Sequence, residues 1–160
     1  PLLADYCDKK SLKLNIVSPL SSSEQEEEDF YDSLVGKHNY NFIKHQDSSS
    51  GYKAVDSCKY IVGVDSTLLY ESLPRKERTI FFAAKGVDLG IPDETFGWPL
   101  ELDPKGPFWT NEINEDEFNR LMNFLIDGSD EEWLEYSNLI AKNLVSFDID
   151  NSLLRGILSE

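Results

Sequence analysis

Tyr60-Ile61-Val62-Gly63-Val64-Asp65-Ser66-Thr67-Leu68-Leu69-Tyr70-Glu71 is the stretch that decides the fold. Its first five residues form a near-continuous apolar run. A half-buried strand alternates apolar with polar. This run does not, so it reads as a strand covered on both faces, as in a parallel sheet. Parallel strands need a crossover, usually a helix. The polar turn Asp65-Ser66-Thr67 leads into one, expected from about Ser66 to Leu73 and stopped by Pro74. Thr79-Ile80-Phe81-Phe82-Ala83-Ala84 supplies the next buried strand.

Toward the N-terminus, Tyr52 to Ser57 reads as a short helix, Asp47 to Gly51 as a loop and Tyr40 to Lys44 as a strand. Ser21 and Glu24 have capping-box spacing. The helix they open should turn Phe30, Tyr31, Leu34 and Val35 inward and end at Gly36. Glu26, Glu27 and Glu28 fall in its first half, where the helix dipole favours anions; they read as a solvated face and not as metal ligands. Leu12 to Val17 alternates and stops at Ser18-Pro19, a further strand, and Leu2 to Cys7 reads as the end of a helix. The start at Pro1 within a helix predicts that the chain is cut from a longer one.

Toward the C-terminus, Lys85 to Glu112 carries Pro92, Pro99, Pro104 and Pro107 with no periodicity, and reads as one long loop. Asn114 with Glu117, and Ser129 with Glu132, are capping boxes for two helices. The first carries Phe118, Leu121, Met122 and Leu125 and ends at Gly128; the second carries Trp133, Tyr136, Ile140 and Leu144. Asp150 caps a last short helix with Leu153, Leu154, Ile157 and Leu158. The expected class is α/β with a parallel sheet, flanking helices and closing C-terminal helices, in a single domain over residues 1–160.

Thirty acidic residues against fifteen basic ones give a formal net charge of -15. Such a surface repels phosphate backbones, which argues against nucleic acid. A small phosphorylated ligand can still be held by backbone N–H groups at a helix start. Cys7 and Cys58 lack zinc-ligand spacing and read as reduced thiols. No stretch reaches the ~18 apolar residues of a membrane span, and no signal peptide is visible.

In open α/β sheets, ligands bind beyond the carboxyl ends of strands. Here that place is Asp65-Ser66-Thr67, with two hydroxyls at the helix start. Thr67 and Glu71 are four apart and share a helix face. Phosphates at Ser66 and Thr67 would lay a ribose near Glu71, whose carboxylate can accept from both hydroxyls. The plain alternative is that Asp65 or Ser66 only caps the helix. Trp98, Phe108 and Trp109 offer faces for a sugar; their plain alternative is to pin the loop to the domain or to a missing half. His38 and His45 read as solvent-exposed. Asp65 and Lys85 close adjacent strands, which does not fit a phospho-receiver, where a further strand lies between them.

The Val64–Glu71 motif followed by Thr79–Ala84 resembles the donor-binding domain of GT-B glycosyltransferases, and more closely transferases of bacterial surface-carbohydrate and O-antigen biosynthesis. Phe96-Gly97-Trp98-Pro99, Gly106-Pro107-Phe108-Trp109-Thr110-Asn111, Glu132-Trp133 and Asp148-Ile149-Asp150-Asn151 extend the resemblance over residues 50–160. Pro74-Arg75-Lys76-Glu77-Arg78 departs from it, being more charged than the small-residue turn of that family. The resemblance implies a Rossmann-like half of a GT-B fold. It implies metal-independent sugar transfer in polysaccharide or lipopolysaccharide biosynthesis, with a nucleotide-sugar donor and no cofactor or metal. Asp65, Ser66, Thr67 and Glu71 would bind the donor, and Trp98, Phe108 and Trp109 the sugar or the other domain. The glycan acceptor would come through an N-terminal half that also brings the catalytic base, so no catalytic residue is assigned and the chain alone is expected to transfer no sugar. The implied location is the cytoplasm, or the periphery of the inner membrane. The alternatives are a nucleotide- or protein-binding α/β module without turnover, and a structural half-domain.

Overall fold

In the computed structural model, which describes residues 1–18, 24–91, 94–145 and 152–158, every pair of named strands runs parallel. The chain divides into two units, Pro1–Cys58 and Lys59–Glu160.

Unit 1 runs α1 (Leu2–Lys10), β1 (Leu14–Val17), α2 (Glu24–Val35), β2 (Tyr40–Ile43) and α3 (Ser50–Asp56). β1 pairs β2 in register from Leu14↔Tyr40 to Val17↔Ile43, with α2 as the crossover. Ser11 ends α1 in the left-handed region, its N–H donating to Asp8 O. The interior is made of small or medium side chains: Ala4, Cys7, Val35, Ala54 and Val55. The inward face expected for α2 is only partly formed. Val35 is buried and Tyr31 packs near Phe42 at 6.2 Å, but Phe30 and Leu34 are exposed. Two four-residue strands can cover only a narrow stripe of a helix. The expected capping box at Ser21 lies outside the described residues, as do Pro19 and Asp148 to Asn151.

Unit 2 runs β3 (Tyr60–Gly63), α4 (Thr67–Ser72), β4 (Arg78–Phe82), α5 (Lys85–Leu89), β5 (Trp109–Thr110), α6 (Glu115–Asp127), α7 (Asp130–Leu144) and α8 (Ser152–Leu158). The sheet order is β3-β4-β5. The central strand β4 buries Thr79, Ile80 and Phe81 completely, as its apolar run predicts; β3, at the end of the sheet, is half-buried throughout. Rings fill the interior: Phe96 stacks on Trp109 at 4.7 Å, Phe81 meets Phe96 at 4.7 Å, and Phe108 stands edge-on to Trp133 at 5.3 Å. Helices α6 and α7 supply Phe118, Leu121, Met122, Leu125 and Trp133 to the core. Their caps are as expected: Asn114 Oδ1 accepts from Glu117 N at 2.9 Å and Ser129 Oγ from Glu132 N at 3.1 Å.

The 85–112 segment is not the unbroken loop its composition predicts. It contains α5 and β5, and Phe81 N donates to Phe108 O while Ala83 N donates to Thr110 O. Gly106 permits the return of the chain, because a Cβ there would lie 2.1 Å from the Trp109 ring. The charged turn before β4 also finds its reason. Arg78 donates to Leu125 O at 2.7 Å, Gly128 O at 2.6 Å and Asp130 Oδ1 at 3.0 Å, tying the α6–α7 corner to β4. Among the described residues no helix is long and apolar enough to cross a membrane.

Candidate functional site

Of the residues singled out from the sequence, Asp65, Ser66 and Thr67 follow the carboxyl end of β3. Gly63 closes β3, and a Cβ on it would meet Leu69 Cδ2 at 2.5 Å; the missing side chain lets α4 fold back on the strand. Leu69 and Leu73 are buried and anchor that helix. Between strand and helix, Val64, Asp65, Ser66 and Thr67 are all exposed.

Ser66 occupies the N-cap position with extended backbone (φ -69°, ψ 136°), yet its side chain makes no capping hydrogen bond. Asn114 and Ser129 in the same unit do make theirs. Thr67 is the first residue of α4 and Glu71 the fifth, so the two share a face. Tyr70 points the other way, parallel to the Phe96 ring at 5.6 Å, and its Oη accepts from Gly97 N at 3.2 Å. Burial pushes the Tyr70 phenol above its ordinary pKa, and the charge on Asp65 adds to the shift; the hydrogen bond from Gly97 works against it.

Lys85 stands just beyond β4. Its Nζ lies 3.0 Å from Glu94 Oε2 and 3.6 Å from Asp65 Oδ2. The hydrogen bond and charge of Glu94, then the charge of Asp65, hold the ammonium above its ordinary pKa, so it is protonated at neutral pH. The apolar runs already set Asp65 and Lys85 at the ends of adjacent strands; Glu94, nine residues beyond Lys85, is the partner that spacing does not reveal.

Of the three aromatic candidates, Phe108 and Trp109 lie inside the core, 0% and 5% exposed, and Trp109 Nε1 donates to Asp103 O at 3.0 Å. They pin the loop. Trp98, next to the Gly97 that binds Tyr70, is 55% exposed. The histidine expectation needs correction. The His38 side chain is only 7% exposed, with Nδ1 2.6 Å from Asp8 Oδ2 and Nε2 3.5 Å from Asp5 Oδ1. Two acids one turn apart on α1 enclose it, and the sequence places them thirty residues away. His45 is half-buried. Among the described residues no three His, Cys, Asp or Glu side chains form a group that could hold a metal ion.

The family model described as "putative O-antigen biosynthesis protein" matches residues 1–160 of the chain. No curated protein and no solved structure matches it.

Proposed function

This chain belongs to that family of O-antigen biosynthesis proteins, and on that premise we propose that unit 2 binds a nucleotide-sugar donor at the carboxyl ends of β3 and β4. In this reading the protein supplies the donor site of a glycosyltransferase in surface-polysaccharide or lipopolysaccharide assembly. The observation that carries it is Ser66. A serine at a helix start is ordinarily explained by capping. This one does not cap, while Asn114 and Ser129, the N-caps of α6 and α7, do. Ser66 and Thr67 are exposed and directly follow Asp65, whose carboxylate lies 3.6 Å from Lys85 Nζ. That combination suits the oxygens of a donor phosphate.

Glu71, one turn along the same face, accepts from the ribose hydroxyls. Exposed Trp98 offers a ring face to the sugar or the base. The acceptor and the catalytic base come from outside unit 2, and no cofactor or metal takes part.

A thermal-shift screen over nucleoside mono- and diphosphates, without divalent metal, tests the reading. At ~100 times its dissociation constant a bound nucleotide adds about 2.7 kcal/mol. At least one nucleotide is expected to raise the melting temperature. If none of the uridine, guanosine, cytidine, adenosine and thymidine series does so, the donor site is refuted.

A further inference from the structure

The crossover helix α2 has two different sides. The fold uses the inward one. Val35 is buried, Tyr31 packs near Phe42, Glu28 pairs with Lys44 at 2.7 Å, and Glu27 accepts from Ser18 Oγ. The outward side carries Phe30, 56% exposed, and Leu34, 41% exposed. These two are four residues apart, so they are neighbours on the helix surface and form a short apolar ridge.

The ridge has opposite charges at its two ends. Glu26 stands four residues before Phe30, and Lys37 three residues after Leu34, in the turn that follows the helix. Both are exposed. Asp29 lies to one side of the ridge and accepts from Gln25 Nε2 at 2.9 Å. Read along the chain, the face runs acid, aromatic, aliphatic, base. Such a face is its own complement when turned end for end. A two-fold axis between Phe30 and Leu34 sets two copies of α2 antiparallel. Phe30 of each copy then meets Leu34 of the other, and Lys37 of each reaches the Glu26 end of the other. This isologous arrangement is the commonest way in which soluble proteins pair.

Charge decides the occupant. A purely basic partner would satisfy Glu26 and oppose Lys37, whereas a second copy satisfies both. The whole-chain charge of -15 is no obstacle at this face. Residues 1–58 hold ten acidic and six basic side chains, so most of the excess belongs to unit 2. Charges farther apart than about 8 Å are largely screened at physiological salt.

We propose that the outward ridge of α2 is a self-association surface, on which a second copy of this chain docks antiparallel, Phe30 against Leu34 and Lys37 against Glu26. The contact is small, so the dimer is weak and should become populated on the order of 100 μM protein.

Sedimentation equilibrium of the whole chain over a concentration series tests this. Wild type is expected to show a monomer–dimer equilibrium, with Phe30→Ser and Leu34→Ser each weakening it about tenfold or more. Glu26→Lys and Lys37→Glu should each weaken it by about fivefold, and the double exchange Glu26→Lys with Lys37→Glu should return it to within about twofold of wild type. That rescue is peculiar to a face that pairs with itself. Thermal melting at low concentration shows that each variant is folded. A wild type that stays monomeric up to about 1 mM overturns the proposal. So does a dimer indifferent to both Phe30→Ser and Leu34→Ser, or a double exchange no better than its single variants. A monomeric wild type that binds a synthetic leucine–lysine helical peptide through Phe30 would give this face to a basic partner and overturn it likewise.

Discussion

Both units place helices between parallel strands, yet they are held together by different means. Unit 2 has a third strand, and the side chains that are completely buried among the described residues, such as Phe81, Phe96, Phe108 and Leu121, all belong to it. Unit 1 has two strands and leans on polar ties. These include Lys44–Glu28 at 2.7 Å, Tyr40 Oη to Asp32 at 2.5 Å, and the Asp47 carboxylate receiving Ser49 and Lys53. Exposed ion pairs contribute ~0–1 kcal/mol each, whereas one buried aromatic ring contributes several times that. Three strands with a covering helix layer enclose large rings, whereas the two strands of unit 1 enclose only small and medium side chains. The difference teaches that the shared α/β pattern does not set what is buried; the third strand is what goes with the large buried rings.

The strongest way to break this contrast is Phe81→Ala. Phe81 touches Tyr70, Phe96 and Phe108, and its truncation should cost about 3–5 kcal/mol. Trp98, Trp109 and Trp133 all lie in unit 2, so tryptophan fluorescence follows that unit alone. An unchanged denaturation midpoint by fluorescence would mean that the rings do not govern it.

Ligand binding offers a second division between the units. Glu71→Gln is expected to weaken nucleotide binding by about tenfold, or ~1.4 kcal/mol, because a neutral amide accepts more weakly from the ribose. Asp47→Asn, in unit 1, should leave the affinity where it was. Calorimetry on both variants checks this, and equal affinities for wild type and Glu71→Gln would return Glu71 to an ordinary helix surface.

Acid sharpens the contrast further. Glu117 is held at about 2, below its ordinary 4.5, first by its hydrogen bond to Arg120 and then by Thr110 and nearby positive charge. Its folded value is depressed, so its contribution is full above 4.5 and disappears as pH falls toward 2. Unit 2, followed by tryptophan fluorescence, should therefore lose stability across that window in wild type and lose less in Glu117→Gln. Parallel acid limbs for the two proteins would contradict the role given to the Arg120 pair.

The smallest effect belongs to the exposed face of α2. Phe30 is 56% exposed, so Phe30→Ser should change stability by no more than ~0.5 kcal/mol. A large loss on thermal melting would show that this face is covered in solution.

What the sequence made legible was local. The apolar runs at Tyr60–Val64 and Thr79–Ala84 located β3 and β4, and the two capping boxes located α6 and α7 almost to the residue, because strands and caps are written in neighbouring side chains. The 85–112 segment was harder. A five-residue helix with Val87 and Leu89 exposed has no periodicity to read, and a two-residue strand is shorter than any pattern. The site was legible in the same measure. The turn at Asp65-Ser66-Thr67 could be found from its place between strand and helix. The closeness of Asp65 and Lys85 followed from the ends of adjacent strands, but the approach of Glu94 to Lys85, and the enclosure of His38 by Asp5 and Asp8, depend on tertiary structure that spacing does not encode.

The strand pairings also carry a consequence for synthesis. Each joins neighbours in sequence: Leu14 with Tyr40, Tyr60 with Arg78, Phe81 with Trp109. A chain leaving the ribosome N-terminus first can close the β1–β2 pair before β3 has been translated. The exposed interval comes later. Once made, β4 can pair with β3 at once, but its other edge must wait for Trp109 and Thr110. During that wait a strand ending in Ile80-Phe81-Phe82 offers unpaired amides and carbonyls to any passing chain. Expression yield of this protein should be governed by how fast the segment between β4 and β5 is delivered.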